Sequence, residues 1–181
     1  MAPLPPPARA ANRLMQIDEP RRTAPAPSAA SRAEGLPLLR LGFRPFYLLV
    51  ALSATVLPPL WIAMLQGWID LQPVLPGPLW HGHEMIFGVV IAAVVGFLFT
   101  AGRLWTGQPT PTGAFLAAFA LLWLGARVSA LTGPDALFLL LDVAFLPLAA
   151  AVFLNLVARS KNWRNLPMAV LLMLLGAVNL A

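Results

Sequence analysis

Cysteine is absent from the chain, and charge is scarce. Without a thiol there is no disulfide, thiolate metal site, iron–sulfur cluster or cysteine nucleophile, so any metal or cofactor must be held by His, Met, carboxylates or backbone groups. Charged residues make up 10% of the 181 positions, against about 25% in an ordinary soluble domain, while 59% are hydrophobic. A surface so poor in charge has no water-soluble solution at this length, and lipid is the solvent it fits. Histidine occurs only twice, as His81 and His83. The net charge of +5 does not imply nucleic acid, because seven of the twelve basic residues precede the first apolar run instead of forming a face interleaved with aromatics.

Residues 1–36 are rich in Pro, Ala, Ser and Arg and have no apolar periodicity, so they read as a disordered cytoplasmic tail. Arg21-Arg22 is followed by Thr-Ala-Pro-Ala-Pro instead of an apolar stretch, which argues against a twin-arginine or cleavable signal. From 37 to 181 the chain reads as an all-α, polytopic transmembrane bundle. A span needs about 20 mostly apolar residues, and five stretches qualify or nearly do: 46–68, 84–101, 113–131, 135–158 and 166–181. Pro58-Pro59 and Pro147 fall inside the first and fourth and should kink them. The sixteen residues of the fifth give about 24 Å of helix, short of a crossing, so the chain reads as the first part of a larger bundle.

Basic residues set the expected orientation. The tail is basic, the loop after the first span has no Lys or Arg, and the next loop carries Arg103. The turn at Thr132-Gly133-Pro134 again has none, and Arg159, Lys161 and Arg164 follow the fourth span. This alternation places the N-terminus in the cytoplasm, with Trp68 and Trp80 at the outer interface and Trp105 and Trp163 at the inner one.

Polar groups inside a bilayer are costly and serve as functional candidates by default. The sharpest cluster is Trp80-His81-Gly82-His83-Glu84, where the outer loop meets the second span. With no cysteine present, His81 and His83 are the candidate ligands for haem iron or copper. Residues two apart point to opposite sides of a helix, so either His81 lies in extended chain before the helix or each imidazole serves a different centre. The plainer alternative is a pair of interfacial polar residues, with Glu84 favouring a helix N-terminus. Arg127 and Asp142 form the second feature, both roughly 8–12 Å below the outer face on adjacent antiparallel spans. A lone charge there costs on the order of 2.5–3.5 kcal/mol. The two are expected to pair, or Arg127 binds an anionic cofactor group alongside Trp80, or it snorkels to the headgroups. Met64, Met85 and Met173 are candidate soft ligands, though Met in an apolar helix usually packs. Asn155 and Asn179 are expected to hydrogen-bond between helices.

The motifs LGFRPFYLL at the first span, WHGHEMIFG opening the second and GFLFTAGRLWTG closing it resemble the NnrS family of bacterial membrane proteins. ARV in the third span and ARSKNWRNLP after the fourth are weaker supports, and the likeness runs from about Leu36 to Ala181. The resemblance implies a larger polytopic protein of the bacterial inner membrane, containing haem and copper and linked to denitrification and to the response to nitric oxide and nitrosative stress. By position it makes His81 and His83 the metal or haem ligands. Partners would be the lipid bilayer and further helices, not nucleic acid. The family pattern departs at Ala101-Gly102-Arg103-Leu104, while Trp105-Thr106-Gly107 persists. The competing classes are a transporter or permease with its path at the Arg127–Asp142 pair, and a scaffold subunit of a respiratory complex. The sequence shows no catalytic constellation.

Overall fold

The computed structural model describes residues 36–180, so the tail over 1–35 lies outside the described residues. A 3₁₀ turn, Pro37–Arg40, leads into α1 (Phe43–Leu65). There follow α2 (Gly77–Thr106), α3 (Gly113–Thr132), α4 (Asp135–Ser160) and, after a 3₁₀ turn at Trp163–Asn165, α5 (Leu166–Leu180). There is no strand among the described residues, and all five helices, with the 3₁₀ turn included in the last, are long and apolar enough to cross a membrane. The chain is a multi-pass membrane protein.

Three expected boundaries shift. α1 starts three residues earlier and ends at Leu65, which puts Trp68 in the following loop; it runs through Pro58-Pro59 without a break. The fifth span starts in the 3₁₀ turn at Trp163. The largest shift is at α2, which begins at Gly77 rather than Glu84, with Pro78 in the first turn where the missing N–H costs nothing. Residues 80–84 therefore lie within a helix and not at a loop junction. From Glu84 to Val90 the helix widens into π geometry before returning to α at Ile91. It stops at Gly107, whose φ of 66° closes the helix in the left-handed conformation that favours glycine.

α2 is the central helix. Half of its apolar window is inside the bundle, against 11% for α1 and 17% for the fifth span. It packs against α1 on one side and α3 and α4 on the other, and α5 lies on α4. Lipid tails are as apolar as leucine, so close helix contact depends on small residues. A Cβ added at Gly42 would stand 2.5 Å from the Phe99 Cβ, and one at Gly96 would stand 2.7 Å from the Phe46 Cβ. Thr100 then reaches across to accept from the Phe43 N–H at 2.9 Å, satisfying an orphan donor of α1. At Gly176, α5 seats against Leu146 and Pro147.

The apolar interior falls into two clusters. A large one holds Phe46, Val95, Phe99, Phe119, Phe145 and Phe153. A smaller one holds Leu57, Trp80, Ala130 and Phe138, roofed by the loop after α1, whose Val74 N–H donates to the Ala130 carbonyl at 2.9 Å.

The glycine contacts predict a contrast. Gly96→Ala should destabilise the bundle by about 1–3 kcal/mol, because the clash is with a Cβ that cannot swing away. Gly82→Ala, which meets nothing within 4 Å, should be neutral or stabilise by up to about 1 kcal/mol. Thermal melts of both variants in one detergent check this; equal melting points would contradict the packing described.

Candidate functional site

Between the two apolar clusters lies a polar layer. Glu84 is seven residues into α2, Arg127 five before the end of α3 and Asp142 seven into α4, so all three sit about 8–11 Å below the same end of the bundle. α5, rising roughly 20 Å from Leu166, brings Asn179 to the same level.

Arg127 is the hub. It donates through Nη2 to Asp142 Oδ1, and its Nε lies 3.3 Å from Glu84 Oε2. Its guanidinium also sits 5.7 Å from the Trp123 ring centroid. Glu84 is 1% exposed and both partners are 7% exposed, so these charges have left water and depend on one another. Gly88 makes the contact possible, since a Cβ there would stand 3.0 Å from Glu84 Oε2 and 3.1 Å from Arg127 Nη1. The Gly88 carbonyl, inside the π segment, accepts from Trp123 Nε1 at 3.1 Å. A π turn leaves carbonyls outside the regular ladder and recurs at functional sites.

His83 joins this layer and His81 does not. His83 Nε2 lies 3.0 Å from both Asp142 Oδ2 and Asn179 Oδ1, while Asn179 Nδ2 donates to Asp142 Oδ2 at 2.7 Å. Turning the Asn179 amide over would set its oxygen against the carboxylate, so the network fixes its orientation. His83 Nε2 thus faces two acceptors and is assigned as a donor, which leaves no lone pair there for a metal. Its Nδ1 is buried without a hydrogen bond, 3.8 Å from Glu84 Oε1, and its ring stacks on Phe87. His81, two residues earlier, stacks on Trp61 with ring centroids 5.4 Å apart and planes within 6°. No hydrogen bond engages either of its ring nitrogens among the described residues, and Nδ1 is buried.

Of the residues singled out in the sequence, the structure brings Arg127, Asp142 and His83 together and keeps His81 apart. Both histidines are helical, so the reading with His81 in extended chain does not hold. Arg127 is buried and turned to two carboxylates, so it does not snorkel, and its Nη1 is buried without a hydrogen bond. Trp80 faces the bundle and not lipid: it is 1% exposed, packed on Trp61, and its Nε1 is buried without a hydrogen bond. Met64 and Met85 pack on the smaller cluster. Asn179 bonds between helices as expected, whereas Asn155 accepts from Arg159 one turn along its own helix. Sequence reasoning leaves Glu84 out of the site, because a helix start at 84 makes it a charge at an N-terminus. The signal for it was the pair Pro76/Pro78, which marks the true start a full two turns earlier.

The layer predicts non-additive mutational costs. Arg127→Met leaves Glu84 and Asp142 buried without a counter-charge and should cost about 3–5 kcal/mol. Adding Glu84→Gln and Asp142→Asn to it should recover more than half of that loss. The exchange Arg127→Asp/Asp142→Arg should not rescue, since the new carboxylate at 127 would face Glu84. Denaturation in mixed micelles measures all three; an Arg127→Met variant as stable as the parent would contradict the arrangement.

No curated protein and no solved structure matches the chain. The NnrS protein family does match, over residues 37–181, a stretch that takes in all five helices, the polar layer and His81. The chain belongs to the NnrS family.

Proposed function

We propose that this protein acts in the response to nitric oxide and nitrosative stress, as a haem-binding member of its family linked to denitrification, with His81 as the ligand to the iron. Family membership supports the stress-response reading, and the uncommitted His81 imidazole is the observation that carries the ligand assignment. A haem is held by one proximal histidine in many proteins, and His81 fits that demand: its ring is oriented by Trp61 and neither nitrogen is committed to a protein group. The far side of Trp61 lines a cavity of about 520 Å³ with Met64, Asp70, Gln72 and Pro78, whose wall includes neither His81 nor Trp80. When bound, haem supplies an iron that takes up nitric oxide. The chain's own part is to present the His81 imidazole, whose plane Trp61 sets. His83 positions α2 through Asp142 and Asn179 and is not itself a ligand in this reading.

Copper fits less well. The two imidazoles diverge, and no group of three or more His, Asp or Glu residues suited to a metal occurs among the described residues. The transport reading would require the Arg127–Asp142 pair to line a path, yet the pair is buried and closed off by Glu84, His83 and Asn179.

The protein is proposed to lie in the bacterial inner membrane. All six described cations outside the polar layer (Arg40, Arg44, Arg103, Arg159, Lys161, Arg164) cluster at the end opposite His81, and Asp70 and Asp135 lie at the His81 end. The positive-inside rule then puts the basic end in the cytoplasm and His81 on the outer side.

Two measurements test this. The absorption spectrum of the purified protein should carry a Soret band that His81→Ala abolishes and His83→Gln, which can keep the Asp142 hydrogen bond, retains. A colourless preparation, or a band lost only with His83, would overturn the assignment. Because the chain has no native cysteine, single cysteines report sidedness directly: Gln72→Cys should react with an impermeant maleimide added to whole spheroplasts, and Thr112→Cys only after lysis. The reverse pattern would invert the orientation.

A further inference from the structure

The basic end carries a feature that the haem reading leaves unused. The 3₁₀ turn Pro37–Arg40 folds back beside the first turns of α1 and leaves a groove of about 480 Å³, lined by Pro37, Leu38, Phe43, Arg44, Tyr47 and Leu48. It is apolar except for Arg44 and the Tyr47 hydroxyl. Arg44 is held at the groove, because its Nη1 donates to the Pro37 carbonyl at 2.7 Å. No other protein group takes its Nε or Nη2 among the described residues. A half-buried guanidinium fixed in place, with donors to spare, asks for an anion.

The surroundings say what kind of anion. Arg44, Tyr47 and Leu48 share one face of α1, at the i, i+3, i+4 spacing. Below them that face continues through Leu52 and Val56, exposed at 58% and 47%. Tyr47 is half-exposed and braced edge-on against Phe43 in the first turns of α1, a position that suits an amphipathic ring at a membrane interface. A small soluble anion would use the guanidinium and leave this apolar run without a role. A molecule with a phosphate at one end and a hydrocarbon chain running down the helix uses both. The other cations gathered at this end add a field of the right sign.

We infer that the groove between the Pro37–Arg40 turn and α1 binds an anionic phospholipid, its phosphate on Arg44, its ester region at Tyr47 and one acyl chain along Leu48 and Leu52. The site is independent of whether haem is bound, and it anchors α1, the least buried helix of the bundle.

The test is native mass spectrometry of the full chain released from micelles doped with equal phosphatidylglycerol and phosphatidylcholine. The parent should retain phosphatidylglycerol in preference. Arg44→Gln should lower that retention roughly fivefold, the worth of one basic side chain at an anionic surface, while Arg164→Gln, at the same end but outside the groove, leaves it near the parent value. Leu48→Ala trims an exposed position and spares the Arg44 hydrogen bond, so it provides a variant that folds; it should also lose retention. The inference is overturned if phosphatidylcholine is held equally well, if the two arginine variants fall together, or if Leu48→Ala has no effect. It is equally overturned if soluble glycerophosphoglycerol displaces the lipid at equal concentration, because the site would then read only the headgroup.

Discussion

A single guanidinium shared by two buried carboxylates is the constraint that organises this bundle. In hydrocarbon no water stands ready to solvate Glu84, Arg127 or Asp142, and each would be costly alone. They become tolerable only when α2, α3 and α4 arrive together, and His83 with Asn179 extends the same requirement to α5. Apolar packing gives little direction in a membrane, where every helix face is wetted by lipid equally well. The polar layer supplies the missing register: a helix shifted by one turn, about 5.4 Å, would strand a charge. The two apolar clusters on either side keep it dry.

The stretches that mark the family meet in space. The Gly42 and Phe46 of LGFRPFYLL pack on the Gly96, Phe99 and Thr100 of GFLFTAG, so those two motifs are two halves of one helix contact. WHGHEM does something different. Its His83 and Glu84 are structural members of the polar layer, and the layer's grip on them turns His81 away, onto Trp61. Two histidines two residues apart thus have unlike surroundings, one hydrogen-bonded into the polar layer and the other stacked on Trp61. The division follows from helix geometry, which points i and i+2 to different sides.

Much of this could be read from the chain. Hydropathy gave five spans, and the short Gly133-Pro134 turn implied antiparallel neighbours, which placed Arg127 opposite Asp142. What escaped was set by details that composition does not carry. The first two turns of α2, GPLWHGH, lack a run of aliphatics, so hydropathy alone does not extend the helix back from Glu84, and Glu84 then reads as an end charge. The π segment has no sequence signature beyond Gly88, whose missing side chain makes room for Arg127. Asn155 and Asn179 look alike in sequence, and only the three-dimensional arrangement decides that one bonds along its helix and the other across to His83.

The central claim is that His83, and not His81, is bound into the Arg127 layer. With only two histidines in the chain, solid-state NMR of protein labelled with ¹⁵N-histidine and ¹³C-aspartate in lipid can read this directly, using His81→Gln to assign the rings. The structure predicts a strong dipolar contact between His83 Nε2 and the Asp142 carboxyl carbon, as the 3.0 Å separation from Oδ2 requires, and none from His81. A carboxyl contact carried by His81, or a His83 ring with no carboxylate beside it, would contradict the account.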